Sequence, residues 1–463
     1  MPTKTRTISY SSISALIEKD ERQQLRHLLN EMHPVDLAQT LSEMEKPWRL
    51  YCFRLLDLEN AGAVLSDLES SEQSELLKEL GDLSVVPIIA RMAPDEAVDL
   101  LSALPKQKAG AIISQMTDLE AAEDLQELLS FKEGTAGRIM STEYLAVPET
   151  TTVENTLKHF QQMQEDVEED LYDIYVVNDQ NQLLGRLTVK ELLSAKDPAV
   201  QVGSIMDPET LKVHTTTDQE EAAEQLRRYH LLSLPVVDTN DELRGVITAA
   251  DVIDVLQEEA SEDLFQSSGI NATSDAEGEL FKGGIGFAFK ARVPWLVFVL
   301  LIETISAFVI GHFGNVIRQT VAAAAFMPLL SAVTGSAAVQ STCIAMRAST
   351  DRSISSHMIL RGLFHELKVG VLLGIACGMV TFALGFLFHA NSYILGLFVG
   401  LSLLITMVIG LLVGTVTPWI FQKLGIDPAH ASGPLISSLL DVFTFTIYLS
   451  IVHCFLAQIS PVS

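Results

Sequence analysis

Cysteine is scarce in this chain of 463 residues: Cys52, Cys343, Cys377 and Cys454 are scattered, and no two form a C-x-x-C pair. That spacing excludes a disulfide framework and a thiolate zinc site, and it fits a reducing compartment. Basic side chains are also in short supply, 31 against 59 acidic ones, for a net charge of −28. Such a chain repels nucleic-acid phosphates and anionic lipid headgroups, and it attracts cations. There is no P-loop, no H-E-x-x-H and no nucleophile–base constellation, so an enzyme is not expected. The first 20 residues are polar and mixed in charge, without the apolar run of a signal peptide.

What the chain does have is negative charge at one end and apolar length at the other. Residues 1–280 hold 54 acidic against 22 basic side chains, whereas residues 281–463 hold 5 against 9. Within 281–463, apolar stretches near 293–312, 320–345, 364–388, 392–421 and 434–457 are each long enough to cross a hydrocarbon core of about 30 Å. Lys282, Lys290 and Arg292 precede the first stretch; Arg347, Arg352, Arg361 and Lys368 surround the second connection, and Lys423 the fourth. The opposite loops hold only Arg318. Positive residues stay inside, so the amino end and the acidic domains are expected in the cytoplasm and the carboxyl end outside a cell membrane.

The soluble part divides further. Residues 1–130 read as an acidic helical domain, in which "HPVDLAQTLSEM" (33–44) and "APDEAVDLLSALP" (93–105) share a scheme of Pro, acid and helically spaced apolar residues. A superhelix of stacked helix pairs and an ordinary helical bundle both fit so weak a repeat. Residues 131–198 and 199–256 are a duplication: "IMSTEYLAVPETTTVENTLKHF" from 139 parallels "IMDPETLKVHTTTDQEEAAEQL" from 205, and "GRLTVKELL" (185–193) parallels "GVITAADVI" (245–253). The offset drifts from 66 to 60, which places a short insertion near 161–172. Residues 250–280 are an acidic connecting helix and a linker over 267–279. Asp251, Asp254, Glu258 and Glu262 fall on one helix face, where like charges repel unless the face is simply solvated or a cation lies along it.

The membrane part of 281–463 carries a polar stripe. Ser437, Asp441, Thr444 and Tyr448 step by four, three and four along the fifth span, and an ionisable residue so deep is a functional-site hypothesis by default. The stripe faces either an ion path, for which its oxygens suit a hard cation, or neighbouring helices that it holds together. In the second span, "FMPLLSAVTGSAAVQS" (326–341) contains Pro328 and Gly335, which can open a helix, along with Thr334, Ser336, Gln340 and Ser341. Pro418 loosens the end of the fourth span, and Gly370, Gly374 and Gly378 form a close-packing stripe in the third. Glu303, in the middle of the first span, fits both an ion path and a helix contact; His312 reads as interfacial.

The duplicated segment resembles a tandem pair of CBS domains, and the whole order resembles the MgtE family of magnesium transporters. The matches are carried by "HPVDLAQTL" (33–41), "EEASEDL" (258–264), "RVPWL" (292–296) and "GIDPAHASGPLISSLLD" (425–441). The resemblance implies an all-α superhelical N domain, an α/β CBS pair, a connecting (plug) helix and a five-helix membrane domain. It implies a homodimer in the lipid bilayer with its pore at the subunit interface, and Asp441 facing hydrated Mg²⁺; Ser437, Thr444, Gly335 and Ser336 of the polar stretches are expected near that ion. It implies regulatory Mg²⁺ at Asp95, Asp99, Glu220, Asp251, Asp254, Glu259 and Glu262, with Asp427 near the pore mouth. Mg²⁺ is then cargo and effector at once. Thr248 and Asp251 match the CBS ribose-contacting pattern for ATP or another adenine nucleotide, and Lys190 is expected to replace that Asp in the first copy. Three departures stand out: Thr334-Gly335-Ser336 lacks the family's Gly-Gly-Asn amide, His230 stands where some members have an acid, and Glu303 is not a residue of the family pattern and is expected to compensate for the lost Asn. The alternatives are a Co²⁺, Mn²⁺ or Ni²⁺ transporter of the same fold, and a membrane-tethered CBS sensor that transports nothing.

Overall fold

Prolines and acidic first turns start several short helices at the amino end. Helices Pro34–Ser42 and Pro94–Ser102 both carry Pro at the first turn and an acid beside it, where a missing N–H costs nothing and the helix end is positive. The computed structural model describes residues 10–19, 21–166, 171–272, 280, 285–349, 356–388 and 393–455. It separates into two units, residues 1–259 and 260–463.

In the first unit, helices stack in rows. Pro34–Ser42 packs on Leu58–Ser66, which packs on Asp82–Ile89, which packs on Lys106–Ile113; Lys46–Phe53 lies on Ser70–Leu80 and Pro94–Ser102 on Leu119–Ser130. The same bonds recur along the stack. Ser42 Oγ donates to Glu72 at 2.5 Å and Ser66 Oγ to Glu96 at 2.8 Å; Arg49 Nε donates to the Leu41 carbonyl and Gln73 Nε2 to that of Leu65. Equivalent partners 24 residues apart are the signature of a repeat that buries its apolar face only by stacking. Leu25, Leu41, Leu65, Leu77 and Leu101 are wholly enclosed between the rows.

The duplicated segment forms two matching sheets. Strands β1 (Leu145–Pro148), β2 (Asp173–Val177) and β3 (Leu183–Thr188) make one; β4 (Val213–His214), β5 (Ser233–Val237) and β6 (Leu243–Thr248) make the other. In each the first strand runs parallel to the second and the second antiparallel to the third. The bulges at Val176/Val177 and Val236/Val237, and the left-handed Asn181 and Asp241, keep the spacing of 60. The copies exchange their leading segments: Ser141 bridges Val246, and Asp207 bridges Arg186. A Cβ on Gly185 would lie 2.6 Å from the Asp207 carbonyl oxygen, and one on Gly245 equally close to that of Ser141, so both glycines are set by this exchange. Residues 167–170, within the expected insertion, lie outside the described residues.

One polar network ties the sheets together. Ser233 Oγ donates to Asp173 at 2.7 Å, the Tyr175 hydroxyl shares Ser233 Oγ at 2.6 Å, and Arg186 reaches Asp173 at 3.4 Å. Burial pushes the Asp173 carboxyl up, while Ser233 and Arg186 pull it back. Substituting Ser233 by alanine is expected to leave a fully buried tyrosine hydroxyl unpaired, at a cost of about 1–3 kcal/mol. Denaturant unfolding of the protein should show the loss in the transition of the first unit.

The second unit holds five helices long and apolar enough to cross a membrane: Ile285–His312, Val321–Ser349, Ser356–Phe388, Tyr393–Lys423 and Gly433–Cys454, called spans 1 to 5. Spans 3 and 4 cross closely along Gly370, Gly374 and Gly378; a Cβ on Gly378 would lie 3.0 Å from the Gly400 carbonyl oxygen. The expectation that Pro328 and Gly335 open span 2 is corrected: the helix runs unbroken through those residues, and span 4 likewise continues past Pro418 to Lys423. At Pro418 a neighbouring helix holds the carbonyl that the proline leaves free. Thr342 Oγ donates to the Ala338 carbonyl at 2.9 Å and to the Gly414 carbonyl of span 4 at 3.2 Å. Of the linker expected over 267–279, residues 273–279 lie outside the described residues, and helix Ala249–Ser267 ends just before it.

Candidate ion site and acidic control sites

Span 5 starts at Gly433, with Pro434 beside it in the first turn and the Ser432 hydroxyl accepting the Leu435 N–H. Asp441 stands eight residues further on, about 12 Å along the axis. Its carboxylate gathers residues that are remote in sequence. Ser331 of span 2 donates its Oγ–H to Asp441 Oδ1 at 2.5 Å, and the Glu303 carboxyl of span 1 lies within hydrogen-bonding reach. Span 5 packs on spans 1, 2 and 4.

The rest of the expected stripe separates by role. Ser437 lies against Gly335, where a Cβ would come within 3.3 Å of its hydroxyl oxygen. Thr444 is enclosed. Tyr448 is a helix contact: its hydroxyl donates to the Ala323 carbonyl at 2.8 Å. In span 2, Thr334 is buried against Thr406 at 3.1 Å, while Ser336 and Gln340 are exposed. Their face continues through Ala325, Pro328 and Ala332, a small-residue surface that the protomer itself leaves uncovered. Two participants carried no local signal in the sequence. One is Ser331. The other is Glu366 of span 3, which accepts a hydrogen bond from Ser341 at 2.6 Å.

In the first unit the acidic residues crowd. Burial pushes the Asp251 carboxyl up, the Thr248 backbone N–H donates to it at 2.7 Å, and the Asp254 charge raises it further. Asp254 also faces Asp67 of the helical domain, whose carboxyl is raised by burial, lowered by nearby His33 and raised by Asp254. Asp67 was not among the expected residues; it caps the carboxyl end of its helix. Asp95 and Asp99 share helix Pro94–Ser102, and Asp99 lies near the buried Arg138 guanidinium. Gln219, next to Glu220, donates to Glu259 at 2.7 Å. His230 is exposed and caps helix Gln219–Tyr229 in the left-handed conformation. In the second unit, Glu262 accepts from Gln266 at 2.7 Å, and the exposed Asp427 caps the turn Pro428–His430. Among the described residues, no three His, Cys, Asp or Glu side chains gather closely enough to enclose a metal ion.

The nucleotide motif needs one correction. The spacing of 60 pairs Asp251 with Glu191, not with Lys190, because Thr188 and Thr248 occupy the same register against Asp173 and Ser233. The first copy therefore also carries a carboxylate. It is turned back into a capping box, accepting the Thr188 N–H at 2.9 Å and its hydroxyl at 2.7 Å, and those bonds hold it below the usual carboxylate range. A small solvent-open cleft lies between the two sheets, bordered by Tyr144, Tyr172, Asp173, Ser233 and Thr248.

Comparison with known proteins agrees across the chain. Residues 327–451 match the family described as MgtE, divalent cation transporter, residues 32–134 the MgtE intracellular N domain, and residues 136–197 and 202–258 the CBS domain. The magnesium transporter MgtE of Thermus thermophilus is 33% identical over 450 residues, 97% of this chain and 98% of its own length. That of Bacillus subtilis is 33% identical over 331 residues, 71% of each chain. The crystal structure of the cytosolic domain of the Mg²⁺ channel MgtE in complex with ATP is 34% identical, with a TM-score of 0.51, and covers 53% of this chain and 99% of that one. A second structure, the soluble part of a magnesium transporter, is 27% identical with a TM-score of 0.50, covering 54% and 98%. With its helical N domain, CBS pair and five apolar spans, this chain belongs to the MgtE family of magnesium transporters, multi-pass membrane proteins that are not enzymes.

Proposed function

We propose that two copies of this chain form a Mg²⁺ channel whose pore runs along their interface and is closed by cytoplasmic Mg²⁺. The observation that carries the reading is the oxygen-only surround of Asp441 at the meeting of spans 1, 2 and 5. Mg²⁺ keeps most of its water and takes one or two carboxylates, and neither thiol nor imidazole is needed. The uncovered face of Ala325, Ala332, Ser336 and Gln340 is small and polar, which suits a wet path between copies better than contact with lipid. Ser437 and Gly335 lie one turn to the cytoplasmic side of Asp441, and Thr444 one turn to the other side, so they border the same path. The amino end is cytoplasmic and the carboxyl end outside.

Control follows from charge. Asp251, Asp254 and Asp67 repel one another when no cation is present. Mg²⁺ bound at these residues and at Asp95, Asp99, Glu220 and Glu259, and in the second unit at Glu262 and at Asp427 by the pore mouth, offsets such repulsion and favours a closed arrangement. An adenine nucleotide binds the CBS pair at Thr248 and Asp251, by analogy with the ATP-bound relative.

Flux into liposomes reconstituted with the full-length protein tests the reading. Saturable Mg²⁺ uptake is expected, and it should fall when Mg²⁺ is raised on the cytoplasmic face; Co²⁺ and Mn²⁺ run in parallel rank the cargo. Flux no greater than in protein-free liposomes would leave a tethered sensor as the better account.

A further inference from the structure

Span 1 brings a second carboxyl to Asp441, and buried hydroxyls accompany both. Ser306 follows Glu303 by three residues and is 2% exposed; Thr444 follows Asp441 by three and is 1% exposed. The Thr444 hydroxyl oxygen has no hydrogen-bond partner. A hydroxyl in an apolar helix ordinarily bonds the carbonyl four residues earlier, as those of Thr304, Ser438 and Thr446 do here. Ser306 instead lies against the Glu303 carboxyl. Spans 1 and 5, first and fifth of five alternating crossings, run in the same sense and pack together. The Glu303–Asp441 level is therefore followed, one turn along, by the level of Ser306 and Thr444.

Two carboxylates in contact repel unless positive charge stands between them. The donors here are all oxygen: two carboxyls, the Ser331 hydroxyl on Asp441, the Ser306 hydroxyl against Glu303, and the unpartnered Thr444 hydroxyl. We propose that Glu303 and Asp441 of a single protomer, with Ser331, Ser306 and Thr444 beside them, bind a divalent cation by direct coordination, and that Glu303 thereby biases the protein toward ions that shed water readily. The inference rests on Asp441 lying on the ion path and adds an acid from span 1 to it. One carboxylate facing a fully hydrated ion separates divalent metals poorly. Two carboxylates that displace water favour Mn²⁺ and Co²⁺ over Mg²⁺, whose waters leave reluctantly.

The test compares wild type, E303Q, E303D and D441N as full-length proteins, reading Mn²⁺ and Mg²⁺ flux in liposomes and Mn²⁺ bound per chain by electron paramagnetic resonance. E303Q is expected to lower the Mn²⁺-to-Mg²⁺ flux ratio about tenfold and to remove one bound Mn²⁺ per chain. E303D keeps the charge and should retain that ion, with an intermediate ratio. D441N should lose the same Mn²⁺ and the flux of both metals. If E303Q leaves both the ratio and the Mn²⁺ count unchanged while D441N is inactive, the pair is a packing contact that shares a proton, and the inference falls while the pore reading stands. A D441N protein that still conducts overturns the pore reading, and this inference with it.

Discussion

Replacing Asp441 by asparagine is expected to cut Mg²⁺ flux about a hundredfold or more at equal protein incorporation. A Mg²⁺ ion that keeps its water and stands one water layer from a carboxylate, about 4.5 Å away, gains on the order of 7 kcal/mol at an effective dielectric near 20. Stripping outer water from the ion offsets much of that, and a residue of about 3 kcal/mol is already worth a hundredfold. Asparagine keeps the shape of the side chain and still accepts the Ser331 hydroxyl, so the helix contacts made at 2.5 Å in the native protein have a neutral counterpart. Loss of flux in that variant therefore reports charge and not collapse. A Mg²⁺-sensitive dye inside liposomes measures it, with Asp441→Glu as the charge-keeping control. Full flux in the asparagine variant would remove Asp441 from the path.

The features legible in the sequence are those written locally. Span length and the lack of charge in 281–463 give five crossings without any tertiary information, and the five long helices follow. The duplication is legible for a similar reason: each copy must make the same three-stranded sheet, so bulge, left-handed turn and capping threonine recur 60 residues apart. That same spacing pairs Glu191 with Asp251; Lys190 stands one residue away, in a motif whose geometry depends on register.

What was not legible depends on contacts between distant segments. Ser331 lies 110 positions from Asp441, and nothing around it distinguishes it from Ser336 or Ser341. Helical periodicity places Ser437, Asp441, Thr444 and Tyr448 on one face, yet a face within a bundle touches several neighbours, and the long Tyr448 side chain reaches Ala323 while Asp441 meets Ser331. Glu303 fitted two readings because a lone acid in an apolar helix reveals its cost but not its partner. Asp67 was missed because its role comes from Asp254, across the helical domain and the CBS pair.

That pairing makes the second large effect specific. Changing Asp251 and Asp254 to asparagine and Glu262 to glutamine together is expected to raise the Mg²⁺ concentration giving half-maximal protease protection about tenfold or more, a coupling change of about 1.4 kcal/mol. Mg²⁺ can shift a conformational equilibrium only by its difference in affinity between the two arrangements. Much of that difference must come from carboxylates that repel in the absence of the ion. Asp254 raises both Asp67 and Asp251, and burial raises both as well, so this is where added positive charge relieves the most. The variant removes carboxylates that hold Mg²⁺ more tightly in the closed arrangement than in the open one, so each ion shifts the equilibrium less. Protection that remains should therefore depend weakly on Mg²⁺, while Mg²⁺ flux through liposomes persists at cytoplasmic concentrations that silence the wild type. A protection curve superimposable on the wild-type one would place the sensing elsewhere, because no other reading of Asp254 between two raised carboxyls predicts that its charge is dispensable.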